Sequence, residues 1–248
     1  MFHFQRFTIH QDQCAMKVGT DGVLLGAWAQ GGERVLDIGT GTGVIALMMA
    51  QRYAEARVVA VDIDEAAVRQ ARQNADASPF GDRVEVVLSS IQDYATSLAS
   101  VSPPVREGLG VVTFGEGRGE VPAHFDSIVC NPPFFVDSLK APDQQRSLAR
   151  HADTLPFAEL MRSAYRLLSD DGELSLVIPF DYRRRLDDEA FLCGFFPSRV
   201  CAVRTKSTKP VRRYLLAYRK RPCPCHHDEL TIGDTRYQQL TRDFYLNQ

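Results

Sequence analysis

The sequence predicts an α/β domain: a mostly parallel sheet covered by helices on both faces. Three observations predict it. Short β-branched runs alternate with helical segments from Arg34 onward, a glycine-rich turn closes the first of those runs, and 248 residues suffice for one substantial core.

The elements follow in order. Residues 35–38 are an apolar run ended by glycines, hence a strand, and 44–53, small and aliphatic, a helix. Residues 57–61 make the second strand and the Ala-rich 65–77 the second helix. Residues 84–88, 127–130 and 174–178 continue the strand series, with a helix over 157–168 before the last. Residues 200–204 and 213–218, separated by Lys and Pro, predict a closing antiparallel hairpin, so the sheet is expected to have seven strands. Two stretches break the rhythm. Residues 97–124, rich in Gly, Pro and Ser, read as a surface insertion, and 222–227 as a second polar interruption. The opening 32 residues are too short for a domain and must pack on the same core, giving a single domain over 1–248.

Composition excludes several classes. Apolar runs such as 44–50 are too short to span a membrane, and the opening lacks the basic, apolar, small-residue order of a signal peptide. Six scattered cysteines read as reduced thiols of a cytoplasmic protein. Cys223, Cys225, His226 and His227 do not match structural zinc spacing, so no metal is expected. With a net charge of -2, any nucleic-acid affinity must come from a local basic patch.

The chemistry concentrates at two strand ends. The first strand runs through Asp37 into Gly39, Gly41 and Gly43, a turn that opens a helix and lets backbone approach a ligand closely. Asp62, 19 residues after Gly43, ends the second strand, where a carboxylate can accept hydrogen bonds from both hydroxyls of a ribose. The alternating glycines miss the G-x-G-x-x-G dinucleotide spacing, and a carboxylate at Asp37 suits an amino or sulfonium cation better than a pyrophosphate. These features favour S-adenosyl-L-methionine. At the second site, Asn131-Pro132-Pro133-Phe134 follows the fourth strand. The prolines stop the ladder and leave the Asn131 side-chain oxygen and the Pro132 carbonyl as neighbouring acceptors. Two acceptors drawing on the hydrogens of a ring-conjugated amine localise its lone pair, and Phe134 can stack on the ring, at roughly 1–3 kcal/mol per base.

Together, DIGTGTG, VDID and NPPF resemble the Rossmann-like class I methyltransferases that act on amino groups. FHFQRFTIHQDQCAMKVGTDGVLLGAW, NPPFF, ARH and RDFYL more narrowly resemble the bacterial tRNA1(Val) adenine-N6 methyltransferases. That resemblance implies methylation of the adenine beside the anticodon. It implies that Lys17, Thr20 and Asp21, in a cofactor-covering N-terminal segment, lie over the methionine end of the cofactor. Asp37, Gly39 and Gly41 would form its floor, Asp62 would hold its ribose, and Asn131, Pro132 and Phe134 would handle the adenine. One departure concerns the end of the third strand, where many relatives carry an Asp that contacts the cofactor's adenine amine; this chain has Ser90, able to replace one hydrogen bond. Thr20-Asp21-Gly22 reads equally as a helix cap with a turn glycine.

Arg204, Lys206, Lys209, Arg212, Arg213, Arg219, Lys220 and Arg221 cluster near the hairpin, and Arg146, Arg150 and His151 follow the NPPFF loop. As a group they fit an RNA partner, and tRNA is the one expected. Competing readings are a guanine-N2 rRNA methyltransferase, a protein glutamine methyltransferase and a cofactor-retaining RNA-binding factor.

Overall fold

In a computed structural model the residues described are 1–14, 17–101, 111–112, 121–122, 124–132 and 155–246. The chain opens with a small hairpin, β1 (Phe2–His3) against β2 (Thr8–Ile9). Helix α1 (Thr20–Trp28) then leads to β3 (Arg34–Ile38), α2 (Val44–Arg52), β4 (Arg57–Asp62), α3 (Glu65–Asp76), β5 (Val84–Leu88) and α4 (Ile91–Val101). Two short strands, β6 (Val111–Val112) and β7 (Val121–Pro122), pair with each other before β8 (Phe125–Cys130). After them come α5 (Phe157–Leu167), β9 (Leu168–Pro179), α6 (Arg183–Leu192), β10 (Phe196–Arg204), β11 (Val211–Arg219), β12 (His226–Thr231) and α7 (Thr235–Thr241).

The main sheet runs β12-β10-β11-β9-β8-β3-β4-β5. Only β11 is antiparallel to its neighbours β9 and β10, which is the hairpin the sequence predicts. Alternation across the sheet builds two cores. Val35, Val58, Val129 and Leu215 face α1, α2 and α3 on one side, whereas Leu36, Val59, Ile128 and Leu216 face α4, α5 and α6 on the other. Helices therefore cover both faces, as expected.

The sheet has eight strands rather than seven. The extra one, β12, pairs in parallel with β10 and begins inside the presumed polar interruption, at His226. It has only Leu230 buried, and an edge strand with polar side chains carries almost no hydrophobic signal. The presumed insertion is likewise shorter than expected, because α4 continues through Val101. Its start was readable as an N-cap: Ser90 Oγ accepts from Asp93 N at 3.0 Å.

The two ends of the chain lock together. Phe4 pairs with Tyr245, Gln5 N donates to the Phe244 carbonyl at 2.8 Å, and the Phe4 and Tyr245 rings stack 6.3 Å apart. The N-terminal segment is then tied to the glycine turn by buried Asn74. Its Nδ2 donates to the carbonyls of His10 at 2.8 Å and Thr42 at 2.9 Å, while His10 N donates to its Oδ1 at 2.8 Å.

Candidate active site

The carboxyl ends of β3, β4, β5 and β8 line one edge of the sheet, because these strands are parallel and in register. Gly39, Gly41 and Gly43 have φ of 68°, 54° and 81°, in the left-handed region that favours glycine. A Cβ built at Gly39 or Gly41 meets nothing within 4 Å, so both present bare backbone to open space. At Gly43 the Cβ would meet that of Ala71 at 3.3 Å, so this glycine serves the packing of α3 instead.

Asp62 stands at the end of β4, as expected, and it also shapes the turn. Its Oδ2 accepts from Gly41 N at 2.8 Å and its Oδ1 from Asp64 N at 3.0 Å. Asp37 is fully enclosed rather than facing an open cleft. Its Oδ2 accepts from Thr40 Oγ1 at 2.7 Å and from Ala46 N, at the start of α2, at 3.1 Å; Oδ1 has no partner. Burial pushes this carboxyl up to about 7, with Asp62 adding to the rise and the two hydrogen bonds opposing it.

Ser90 does not present a free hydroxyl. It donates to Asp93 at 2.7 Å, so the side chain expected to meet the cofactor is committed to the cap of α4, and the exposed Asp93 stands beside it. Two apolar residues missed in the sequence frame this end: Ile63, 61% exposed, directly follows Asp62 past the end of β4, and Leu88, 49% exposed, is the register partner of Asp62 on β5. An apolar residue directly after a strand-terminal acid was the available signal.

Asn131 is half-buried and Pro132 buried at the end of β8. A Cβ at Gly22 would lie 4.0 Å from Asn131 Nδ2, so α1 packs against the Asn131 amide through its smallest residue. Gly22 thus lies within α1, which starts at Thr20 without a side-chain cap. Thr20 is half-buried and Lys17 exposed. Asp21 forms an ion pair with Arg213. Arg213, expected to bind RNA, therefore already has a partner within the chain. Phe134, Arg146, Arg150 and His151 lie outside the described residues.

The basic cluster divides in two. Because β11 is antiparallel, its start lies at the active edge and its end roughly 25 Å away. Arg219 pairs with buried Glu173, Lys220 donates to the Leu168 carbonyl and Arg221 pairs with Asp171, all at the far edge. Arg204 reaches the Lys209 carbonyl and Glu229. Exposed Lys206, Lys209 and Arg212 remain at the hairpin tip, with no ion pair among the described residues.

The bare glycine backbone, the Asp62 carboxylate and the apolar Ile63–Leu88 pair fit the aminoacyl, ribose and adenine parts of S-adenosylmethionine, with the enclosed, unpartnered Asp37 oxygen beneath the turn. A family described as a methyltransferase domain matches residues 29–189. A solved structure described as a predicted O-methyltransferase from Agrobacterium tumefaciens shares the fold, with a TM-score of 0.62 and 16% identity over 90% of this chain and 96% of that one. The molecule is thus a Rossmann-like, S-adenosylmethionine-dependent methyltransferase. Among curated proteins, the tRNA1(Val) (adenine(37)-N6)-methyltransferases of Bacteroides fragilis and Phocaeicola vulgatus are 42% and 44% identical to it, over 99% of this chain and 97% of theirs. The chain belongs to that family. No helix among the described residues is long and apolar enough to cross a membrane.

Proposed function

We propose that this chain methylates N6 of adenine 37 in a valine tRNA, in the cytoplasm where that tRNA resides. The observation that carries the reading is full-length similarity to enzymes of that name, in a chain whose Asn131 and glycine turn share one sheet edge. When bound, S-adenosylmethionine supplies a methyl group made electrophilic by its sulfonium. Asn131 Oδ1 and the Pro132 carbonyl accept the amine hydrogens of the adenine, and Phe134 holds its ring. Lys17, Thr20 and Asp21 cover the methionine end, Gly39 and Gly41 give it floor, and Asp62 receives the ribose. Ser90 acts there through Asp93. Arg146, Arg150 and His151 join the hairpin tip in holding RNA phosphates. The methylated nitrogen, positively charged at first, is acidic enough to give its proton to water.

Labelled methyl transfer to bulk tRNA, rRNA and protein tests the reading, with N6-methyladenosine expected in digested tRNA. Methylguanosine or methylglutamine as the sole product would overturn it.

Asp37 adds a pH signature. A cation bound at the turn favours, through space, the ionised form of this enclosed carboxyl, which burial pushes up to about 7, so cofactor binding is expected to release a proton. Affinity should accordingly rise from pH 6 to pH 8, checked by calorimetry in two buffers of different ionisation enthalpy. Without ligand the sign for stability is opposite. Between its unfolded value and about 7 the folded state binds more protons, so this group makes stability fall with rising pH, by on the order of 4 kcal/mol at most. Asp37→Asn should remove both slopes, stabilise the free protein at pH 8 and weaken cofactor binding.

The hairpin tip gives a second test. Replacing Lys206 and Arg212 with alanine should weaken tRNA binding and flatten its salt slope by about one unit per lost phosphate contact. Cofactor affinity should stay unchanged. A wild-type slope would remove the tip from the interface.

A further inference from the structure

We propose that the stacked rings of Phe180 and Tyr214 form a platform for an unpaired base of the substrate RNA, next to the base being methylated. The inference rests on the RNA reading above and extends its hairpin tip, through Arg212, to an aromatic surface that reading does not use. Phe180 follows β9 directly and is 49% exposed, unusual for a large aromatic ring. Its ring stacks on that of Tyr214, with centroids 5.7 Å and planes 24° apart. The Arg183 guanidinium lies 4.6 Å from the Tyr214 ring centre and is anchored by Asp187 at 3.2 Å. The Tyr214 ring is thereby fixed before any ligand arrives.

The surroundings have the charge a nucleotide requires. Arg184 and Arg185, at the start of α6, are exposed, as is Arg212. Arg212 has no register partner on β10, where Arg204 pairs with Val211 and Val203 with Arg213. Such a bulge re-aims the extra side chain. Asp181 is also exposed beside Phe180, which directs a phosphate towards the arginine side. An exposed π-face with cations around it is the pattern that binds single-stranded nucleic acid, with the base on the ring and the phosphate on the guanidinium.

Register places the platform relative to the reacting centre. Cys130 pairs with Leu176, which puts Asn131 level with Val177 on β9, and Phe180 three residues further along, about 10 Å. Phe180 thus projects past the strand end that carries Asn131, on the side where an RNA loop must approach. A base that leaves the loop stack to enter the Asn131 site strips its neighbour of a stacking partner. The Phe180 ring replaces it.

The test uses the full chain and a transcribed valine tRNA carrying 2-aminopurine on one side, then the other, of adenine 37. Wild type should quench 2-aminopurine at one of the two positions. Phe180→Ala and Phe180→Leu should each abolish that quench and raise KM for tRNA roughly ten-fold. Phe180→Trp should restore both, and none should change cofactor affinity. The leucine variant keeps apolar bulk on Tyr214 but has no π-face, so a merely structural role would leave it like wild type. Retained quench in the alanine or leucine variant, or a tRNA KM within about two-fold of wild type, overturns the platform. Failure of wild type itself to methylate tRNA would instead overturn the function proposed above.

Discussion

Asn131→Ala is expected to lower kcat by several hundred-fold or more, with cofactor and tRNA still bound. Asn131 follows β8, and its amide rests against α1 at Gly22, so the side chain is held where a strand end meets the covering helix. Its proposed work is to accept a hydrogen from the target amine as that nitrogen loses conjugation with the ring. The interaction strengthens as the nitrogen pyramidalises, so its loss falls on the rate and little on binding. A stabilisation of about 3–4 kcal/mol corresponds to that factor. Asn131→Asp keeps an acceptor and should retain more activity than alanine. Single-turnover rates and mass spectrometry of the nucleosides check both. Wild-type turnover by the alanine variant would end the amine-polarising role.

Asp62→Ala is expected to weaken cofactor binding roughly a hundred-fold, about 3 kcal/mol. The carboxylate holds the glycine turn through Gly41 N and Asp64 N, and its proposed second role is to present acceptors for the ribose. Alanine removes both, leaving two backbone donors without their partner. The free protein should therefore also lose about 1–2 kcal/mol of stability, while remaining folded. Asp62→Asn keeps one acceptor oxygen and should fall between. Calorimetry and thermal melts separate the two losses. A folded alanine variant with unchanged cofactor affinity would take Asp62 out of the site.

What was legible in the sequence was what burial and backbone geometry impose locally. Strands β3, β4 and β8 lie between two helical layers, so they read as continuous apolar runs. The glycine turn was legible because three left-handed residues favour three glycines. Strand β12 and helix α6 were not. The first has one buried side chain, and α6 buries only Leu186 and Ala190. Ile63 and Leu88 escaped because an isolated exposed apolar residue has no periodicity to betray it.

The sequence by itself determined which chemistry-bearing residues exist and in what order along the chain they come: Asp37, the glycines, Asp62, then Asn131. In a parallel sheet that order suffices to bring them to one edge, because every such strand ends on the same side. Only the tertiary structure decided which cations are free. Arg212 and Arg213 are neighbours in sequence, yet one is exposed and the other pairs with Asp21. Arg219 and Arg221 belong to the same charged stretch but stand at the opposite edge, facing Glu173 and Asp171. The reason is strand direction: β11 runs against its neighbours, and an antiparallel strand carries one run of charge from the active edge to the far one. Likewise, that FHFQRF and RDFYL lock the chain ends together depends on contacts such as Gln5 with Arg242, 237 residues apart, which no local pattern encodes.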